Sequence, residues 1–192
     1  CQSSVMSTDT RQSVLDAGQE LVQTCGYNGF SFRDLADRVG IKSASVHYHF
    51  PTKKDLGQAL IARFRGQFQS VFVELDEAGT DPKTKIDRYV ETFLDPLQNA
   101  DRSCLGAMLA ADAETLPENV QEEVRGFVED HERWLTDVLS EGQDTGAFDF
   151  DESPDRRATL LFSALEGASI LAHATGDDER LEAVARSAVQ DL

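Results

Sequence analysis

The sequence predicts an all-α protein, and three observations support this fold class. Apolar residues recur every three or four positions along each long segment of the chain, which places them on one face of a helix. No segment of the sequence reads as a convincing β-strand. The composition, with 40% hydrophobic and 28% charged residues over 192 positions, is that of a globular chain with a real core.

The first helix is predicted over residues 14–22, and two shorter helices joined by a tight turn follow it. Ser31 stands in the N-cap position of the second helix, with Asp34 as its capping-box partner. Gly40 follows the last periodic residue and is expected to end that helix. Ser43 is expected to cap the third helix, so that the three together form a helix-turn-helix domain.

The third helix carries a surface that suits duplex DNA, because hydrogen-bond donors and aromatic edges crowd into less than two of its turns. Short polar side chains at a helix N-terminus can enter the major groove, while Lys, His and Tyr side chains reach the flanking phosphates. The alternative interpretation is a polar, solvated face on a small helix. The residues that form this surface are Lys42, Ser43, Ser45, His47, Tyr48 and His49, followed by Lys53 and Lys54.

Between residues 11 and 56, the chain resembles the DNA-binding domain of the TetR family of transcriptional regulators. The most specific part is Tyr48-His49-Phe50, followed by Lys53 and Leu56. An ordered series of matches over roughly forty-five residues is much stronger evidence than one helix-turn-helix. The matching segments are residues 14–22, 25–29, 32–36, 39–46 and 48–56.

Two positions depart from the family pattern. Ala44 stands where the family often has Gly, and its small side chain still lets the start of the helix approach a phosphate. His47 stands where the family often has Tyr, so the preferred operator sequence is expected to differ from that of relatives. The residues expected to contact DNA are Ser31, Arg33, Lys42, Ser43, Ala44, Ser45, His47, Tyr48, His49 and Lys53.

The charge is unevenly distributed along the chain. Residues 1–55 contain six basic and six acidic residues, so the whole net charge of -17 lies in the rest of the sequence. Because DNA phosphates repel an acidic surface, only the N-terminal domain is expected to face the duplex. The acidic composition is therefore compatible with DNA binding.

Six further helices bring the predicted total to about nine. A long amphipathic helix at residues 53–75 joins the DNA-binding domain to the remaining helices, and residues 141–154 read as a loop. The five other predicted helices span residues 83–94, 104–113, 118–140, 155–175 and 178–192.

Three regions are predicted: a disordered tail at residues 1–8, a helix-turn-helix DNA-binding domain at 9–55, and an effector-binding and dimerisation domain at 56–192. No apolar run approaches the length of about 18 residues needed to span a membrane, so no membrane partner is expected. The N-terminal residues lack the features of a secretory signal. Three cysteines without paired spacing fit a reducing compartment, so we expect a cytoplasmic protein.

The last two helices are expected to form a homodimer interface. The apolar stripe of helix 155–175 is wider than one partner helix needs, and it contains small residues that allow close helix approach. The resemblance implies the same, since such regulators usually dimerise through these helices as a four-helix bundle. A purely intramolecular core is the alternative. The predicted interface residues are Leu161, Ala164, Leu165, Ala168, Leu171, Leu181, Val184 and Ala188.

The resemblance also implies a pocket for a small-molecule effector inside the helical body, although each candidate residue could equally belong to a plain core. Glu166 is the most suggestive, because a carboxylate on an apolar helix face must find a partner if it is buried. The candidate pocket residues are Phe64, Phe68, Phe93, Cys104, Met108, Trp134, Phe162 and Glu166.

Cys104 supports a second hypothesis, because its surroundings look like a segment in one branch of the family whose members sense electrophiles or oxidants. A helix N-terminus at this position would lower the pKa of the thiol and make it more reactive. The alternative is a packing residue. His131 and His173 are isolated, so no metal site and no cofactor are expected. No phosphate-binding loop or nucleophile motif indicates an enzyme.

The sequence therefore predicts a homodimeric transcriptional repressor that binds a palindromic operator in double-stranded DNA and is released by an unknown small-molecule effector. In the mechanism that the resemblance implies, the effector shifts helix 53–75 and changes the spacing of the two reading helices. Control by a protein partner, or by oxidation of Cys104, is the alternative.

Overall fold

A computed structural model of the chain describes residues 2–94, 103–190 and 192, with the side chains of all but residues 2–8 and 178. Nine α-helices, two short 3-10 helices and no β-strand occur in these residues, which confirms the predicted all-α fold. The 3-10 helices span Tyr27–Gly29 and Ala113–Thr115. The α-helices are α1 (Gln2–Cys25), α2 (Phe32–Val39), α3 (Ser43–His49), α4 (Lys53–Glu77), α5 (Pro82–Leu94), α6 (Leu105–Ala111), α7 (Glu118–Thr145), α8 (Pro154–Thr175) and α9 (Asp178–Gln190).

Helix α1 is longer than the predicted segment at residues 14–22, and its backbone is helical from Gln2 onward. The sequence predicts disorder for residues 1–8. Residue 1 and the side chains of residues 2–8 lie outside the described part of the structure, so that disorder stays a prediction.

Reciprocal capping boxes set the start of both α2 and α4. The Ser31 hydroxyl accepts a hydrogen bond from the backbone N–H of Asp34 at 3.3 Å, and the Asp34 carboxylate accepts one from the backbone N–H of Ser31 at 2.8 Å. Thr52 and Asp55 make the same pair of contacts at the start of α4. Gly40 ends α2 in the left-handed region at φ 76°, as predicted, where a side chain would be strained.

Helix α7 continues through Thr145, whereas the sequence predicts that a loop begins at residue 141. Gly142 explains the difference. It is buried in the last turns of α7, and a Cβ atom at this position would lie 1.9 Å from Cδ2 of Phe148. The missing side chain lets Phe148 fold back onto the helix, so the chain after Gly146 covers the end of α7 instead of leaving it early.

The N-terminal part of the chain, here called the head, consists of α1, α2 and α3, with α2 and α3 packed on each other and on α1. Val46 and Phe50, at the inner edge of α3, are buried in its core. Two contacts tie its outer edges together. The Arg38 side chain donates to the Glu20 carboxylate, and the Arg11 guanidinium lies 5.1 Å from the centre of the Phe50 ring.

The body consists of α4 to α9. Helix α7 packs against α4, α5, α6 and α8, and α9 packs against α8 and α5. One continuous hydrophobic core runs from the head into the body, from Val14 of α1 to Ala185 of α9. The Arg65 guanidinium of α4 joins this packing from the outside by donating to the Asp130 carboxylate of α7 at 2.6 Å. Head and body are therefore joined through a shared core and not by a flexible linker.

Polar contacts reinforce the joint between head and body on both sides of α6. The Gln23 amide of α1 donates to the backbone carbonyl of Ser103, which lies just before α6, at 3.0 Å. After α6, the Asp112 carboxylate accepts a hydrogen bond from the backbone N–H of Tyr27 at 2.9 Å. The Asn28 amide also donates to the hydroxyl of Thr115 at 2.8 Å. Helix α6 is therefore held against the head at both of its ends.

Candidate functional site

The outward face of α3 is polar and accessible. Lys42, Ala44, His47 and Tyr48 are exposed, and Tyr48 leaves 78% of its surface open to solvent although it is aromatic. Ser43, Ser45 and His49 are partly exposed on the same short helix. An exposed polar or aromatic side chain on the second helix of a helix-turn-helix can reach phosphate oxygens or base edges. This face therefore has the accessibility that contact with DNA requires.

The ring of His47 is held in a defined orientation. Its Nδ1 lies 3.2 Å from the carbonyl oxygen of Pro51, and its ring packs edge-on against Phe32 with centroids 4.8 Å apart. Because a carbonyl oxygen only accepts hydrogen bonds, Nδ1 must carry the proton. In the neutral ring, Nε2 is then a hydrogen-bond acceptor.

Besides His47, two predicted DNA-binding residues have structural contacts inside the head: Ser31 and Lys53. Ser31 caps α2, as predicted. Lys42, and not Ser43, occupies the N-cap position of α3, and the Ser43 side chain makes no capping hydrogen bond there, so the prediction that Ser43 caps this helix is wrong.

Lys53 is turned toward the head's own core. Its ammonium group donates to the backbone carbonyl of Phe30 and lies 4.2 Å from the centre of the Phe30 ring. Partial burial lowers the pKa of this lysine, and the nearby groups Cys25, Asp34 and Asp112 oppose that effect. This geometry gives Lys53 an anchoring role, while its contact with a phosphate stays a prediction.

Four of the candidate pocket residues fill the core instead of lining a cavity. Phe64, Phe68, Phe93 and Trp134 are buried, and their rings pack against one another or against neighbouring aromatic rings. Centroid distances of 4.7–6.4 Å are those of ordinary aromatic packing. Met108 is only partly buried and packs against the same core. Residues that line a pocket and residues that fill a core recur at the same spacing along a helix, so the sequence could not distinguish pocket residues from core residues.

A cavity of about 300 Å³ opens between α6, α7 and α8. Phe162 and Glu166 are the only two of the eight candidate pocket residues that line it. Its lining residues are Gly106, Ala107, Ala110, Ala111, Phe127, Val128, Glu132, Phe162, Ser163, Glu166 and Ile170.

Glu166, which lines this cavity, forms a polar pair with Cys104. The Cys104 thiol donates to Oε1 of Glu166 at 3.2 Å. Burial raises the pKa of Glu166 to about 7, and the hydrogen bond from the thiol only partly opposes this shift. The buried Oε2 of Glu166 has no hydrogen-bond partner among the described residues.

Cys104 does precede α6, as expected, but its surroundings do not favour the predicted reactive thiol. Burial raises the pKa of the Cys104 thiol well above its ordinary value, and the neighbouring carboxyl of Glu166 raises it further. Backbone N–H groups at the start of α6 act in the opposite direction and are outweighed. The thiol therefore stays protonated and buried.

A second polar pair lies deeper in the body. The hydroxyl of Tyr89 lies 2.8 Å from Nδ1 of His131, and burial lowers the pKa of His131 to about 3. The His131 ring stacks on Phe162, with centroids 4.8 Å apart, and Phe162 lines the cavity. Buried Nε2 of His131 has no hydrogen-bond partner in the described part of the chain. The His131 side chain is fully enclosed in the body, with only 1% of its surface exposed.

Helix α8 has two apolar faces, and the predicted dimer residues divide between them. Leu161, Leu165, Ala168 and Leu181 are buried within the protomer and are not available to a partner. Leu171 is 51% exposed, and Ala164, Val184 and Ala188 are partly exposed. The prediction therefore needs correction at four positions.

The outer face of α8 forms an apolar seam, defined here as Leu160, Ala164, Gly167 and Leu171. Its spacing of four, three and four residues keeps all four positions on one side of the helix. Leu160, which the prediction omits, is 55% exposed at one end of the seam. A Cβ atom at Gly167 would meet nothing within 4 Å. A groove of about 260 Å³ beside this seam separates α8 from α9.

No cluster of three or more His, Cys, Asp or Glu side chains able to hold a metal ion occurs among the described residues. Within the same residues, no helix is both long and apolar enough to cross a membrane.

Both parts of the chain match known protein families. Residues 14–60 match the family described as "Bacterial regulatory proteins, tetR family". Residues 82–188, more than half of the chain, match the family described as "Tetracyclin repressor-like, C-terminal domain".

Similar proteins span almost the whole chain. A TetR-family transcriptional regulator from Agrobacterium tumefaciens superposes with a TM-score of 0.91 at 29% identity, covering 97% of this chain and 98% of that one. A TetR transcriptional regulator from Legionella pneumophila gives a TM-score of 0.82 at 34% identity, covering 94% and 95%.

The repressor DhaR of Mycobacterium sp. (strain GP1), an HTH-type transcriptional repressor, is 24% identical over 162 residues, which are 84% of this chain and 81% of that protein. These families and relatives are regulatory DNA-binding proteins and not enzymes. The capped helix-turn-helix, the helical body and both family matches lead to one conclusion: the chain belongs to the TetR family of DNA-binding transcriptional regulators.

Proposed function

We propose that this regulator is a homodimeric repressor that binds a palindromic operator through α3 and is released by a small molecule bound in the body. The exposed polar face of α3, on which Tyr48 is 78% exposed, is the observation that carries the DNA-binding part. DhaR, a relative of similar length, is a transcriptional repressor. We infer a cytoplasmic location, because an operator-binding regulator must reach the chromosome.

His47 is expected to contribute to the choice of operator. Its Nδ1–H is engaged by the Pro51 carbonyl, so Nε2 of the neutral ring is free to accept a hydrogen bond. In the major groove, the amino groups of adenine and cytosine are the donors that such an acceptor can read. Substitution of His47 is therefore expected to change which base pairs are preferred.

The seam on α8 supports the dimer. Two large apolar residues, Leu160 and Leu171, are more than half exposed at its ends, and Ala164 and Gly167 leave room between them. Small central residues allow two helices to approach closely, while the flanking leucines fill the partner's grooves. A two-fold interface would bring the same seam of a second α8 against this one.

The cavity between α6, α7 and α8 supports the effector part. It is walled mainly by apolar side chains, and the buried carboxyl group of Glu166 belongs to its lining, which is the usual composition of a small-molecule site. A second cavity, between α4 and α5, is larger, about 480 Å³, but Glu74, Arg88 and Glu91 make its walls strongly charged.

Helix α6 offers a route from the cavity to the head. Gly106 and Ala107 line the cavity on one side of α6, while the hydrogen bonds at Ser103 and Asp112 hold both ends of α6 to α1 and the first 3-10 helix. A ligand that displaces α6 must therefore strain or break contacts with the head. The change would reach α3 through α1 and so alter the spacing of the two reading helices.

The experiment that tests this function is selection of bound sequences from a random duplex pool with the purified full-length protein. We expect a palindromic motif whose half-sites lie about 34 Å apart, one turn of the duplex. Enrichment of a single, non-repeated half-site would contradict binding of the operator by a dimer. Absence of any enrichment from a folded protein, at low and at moderate salt, would contradict operator binding by the free protein.

Lys42 is expected to contact a phosphate, because it is exposed at the N-cap of α3. The Lys42→Ala variant should bind the selected operator more weakly and lower the slope of log K against log salt by about one unit. Fluorescence anisotropy over a salt series measures both quantities. Lys83→Ala removes an equally exposed lysine from the body and is the matched control. An unchanged slope for Lys42→Ala would show that Lys42 does not contact a phosphate.

Asp112 is expected to fix the joint between α6 and the head. The Asp112→Ala variant removes the acceptor of the Tyr27 N–H, and a hydrogen bond to a charged group contributes about 1.5–3 kcal/mol. Hydrogen exchange at the Tyr27 amide should therefore become roughly tenfold to a hundredfold faster. Glu114→Ala, at an exposed carboxylate two residues on, is the control. Equal exchange in the two variants would show that this hydrogen bond does not hold the joint.

A further inference from the structure

The charges around the cavity between α6, α7 and α8 restrict the class of ligand that it can hold. Three polar side chains line it, Glu132, Ser163 and Glu166, and two of these are carboxylates. The other lining residues are Gly, Ala, Val, Ile or Phe, and no basic side chain occurs among them in the described part of the chain. An anionic ligand would meet two like charges without a compensating cation, which disfavours its binding.

Glu166 lacks a hydrogen-bond donor on one side. The Cys104 thiol occupies Oε1, whereas Oε2 is buried and has no partner among the described residues. A buried carboxylate oxygen without a donor costs free energy, since it has lost its water and gained nothing in return. A ligand that brings a donor to Oε2 would remove that cost, and a cationic donor would also balance the charge.

The walls of the cavity determine the polarity and the size of the rest of the ligand. The aromatic rings of Phe127 and Phe162 and the side chains of Val128 and Ile170 provide an apolar surface. A volume of about 300 Å³ lies at the lower end of the range for small-molecule sites, so the ligand must be compact. An aromatic face also attracts an adjacent cation, most strongly when both are desolvated.

We propose that the cavity binds a small organic cation with an apolar body, of the class of aryl or alkyl primary amines, whose ammonium group pairs with the carboxyl group of Glu166. This inference rests on the proposed ligand-controlled function and identifies the ligand class of that site. Glu132, which is partly exposed on α7, adds a second negative charge to the lining and favours entry of the same class.

The ionisation of Glu166 should make the amine affinity of the site depend on pH. Because burial raises the pKa of Glu166 to about 7, the empty site is mostly protonated in mildly acidic solution. A cation binds to the ionised carboxylate, so amine affinity should fall as the pH is lowered through about 7 toward 6. The Glu166→Gln variant should lose this dependence.

The test uses three probes that share a phenyl ring and differ in the charge of the head group: 2-phenylethylamine, 2-phenylethanol and phenylacetate. Calorimetric titration of the full-length protein at pH 8 should give at least roughly tenfold tighter binding of the amine than of either other probe. Glu166→Gln should reduce the amine affinity by a similar factor and leave the alcohol unaffected. Glu132→Gln, at the other carboxylate of the cavity, should have a smaller effect.

Equal or tighter binding of phenylacetate or 2-phenylethanol would overturn the inference, as would no amine binding at millimolar concentration or an unchanged affinity in Glu166→Gln. Operator binding by the same protein samples is measured separately by fluorescence anisotropy. A protein that binds its operator but not the amine keeps the proposed regulatory function and loses only the ligand class. Loss of operator binding by all samples would count against the proposed function itself.

Discussion

The Leu160→Asp, Leu171→Asp double variant is expected to be a folded monomer whose operator affinity falls at least roughly a hundredfold. Both leucines are more than half exposed at the ends of the seam on α8, so charged replacements cost little in the isolated protomer. In a two-fold interface the same replacements bring four carboxylates into a desolvated seam. Loss of the dimer removes the advantage of binding two half-sites together, which is about 10²–10⁴ in affinity.

Sedimentation equilibrium gives the oligomeric state, and fluorescence anisotropy with the selected palindrome gives the affinity. Val73→Asp is the matched control, because Val73 is 53% exposed on α4 and outside the seam. Circular dichroism establishes that the double variant keeps its helices. A double variant that remains dimeric would exclude the seam as the interface, whatever its affinity for DNA.

Local features of the fold could be predicted because their causes are local. Ser31 and Asp34 are three residues apart, and the reciprocal cap that they form needs no other part of the chain. Gly40 likewise ends α2 because only the conformation of this one residue must be left-handed. The same type of signal at Thr52 and Asp55 marks the start of α4, and it was available in the sequence although the prediction did not use it.

The faces of α8 could not be assigned with the same certainty. Leu160 and Leu161 are neighbours in sequence, yet Leu160 is 55% exposed and Leu161 only 2% exposed. A stripe of apolar residues that extends around most of a helix shows that both sides are covered, but it does not show which side faces the protomer's own core. That assignment depends on the position of α7 and α9, which is a tertiary property.

The candidate pocket shows the same limit. Phe68 and Phe162 each lie among apolar residues at helical spacing, so the sequence pattern does not distinguish them. In the structure, Phe68 is enclosed by aromatic rings while Phe162 borders a cavity. Glu166 could be singled out because a carboxylate among apolar residues must find a partner, and that argument is chemical. The contact between Tyr89 and His131 joins residues 42 positions apart, and no local pattern indicates it.

The His131 side chain is expected to lower the free energy of unfolding as the solution becomes acidic. The His131→Gln variant should lack this loss of stability. His131 is only 1% exposed, aromatic rings surround it, and burial lowers its pKa from 6.5 to about 3, which the charge of Asp130 only partly opposes. A folded-state pKa below the unfolded value means that the stability is fully present above pH 6.5 and is lost as the pH falls toward 3. Between pH 7.5 and 4.5 this loss is about 2–3 kcal/mol.

Urea unfolding at a series of pH values measures this loss as the difference in free energy of unfolding between the wild type and the His131→Gln variant. The free energy of unfolding of the wild type, relative to His131→Gln, should fall by about 2–3 kcal/mol from pH 7.5 to 4.5. The raised pKa of Glu166 acts in the opposite direction, but it is present in both proteins and cancels in the first approximation. Leu135→Ala, a core variant one turn further along α7 without a titrating group, should keep a constant difference from the wild type. A constant difference for His131→Gln as well would show that His131 accepts a proton without unfolding, through a rearrangement of the aromatic core around it.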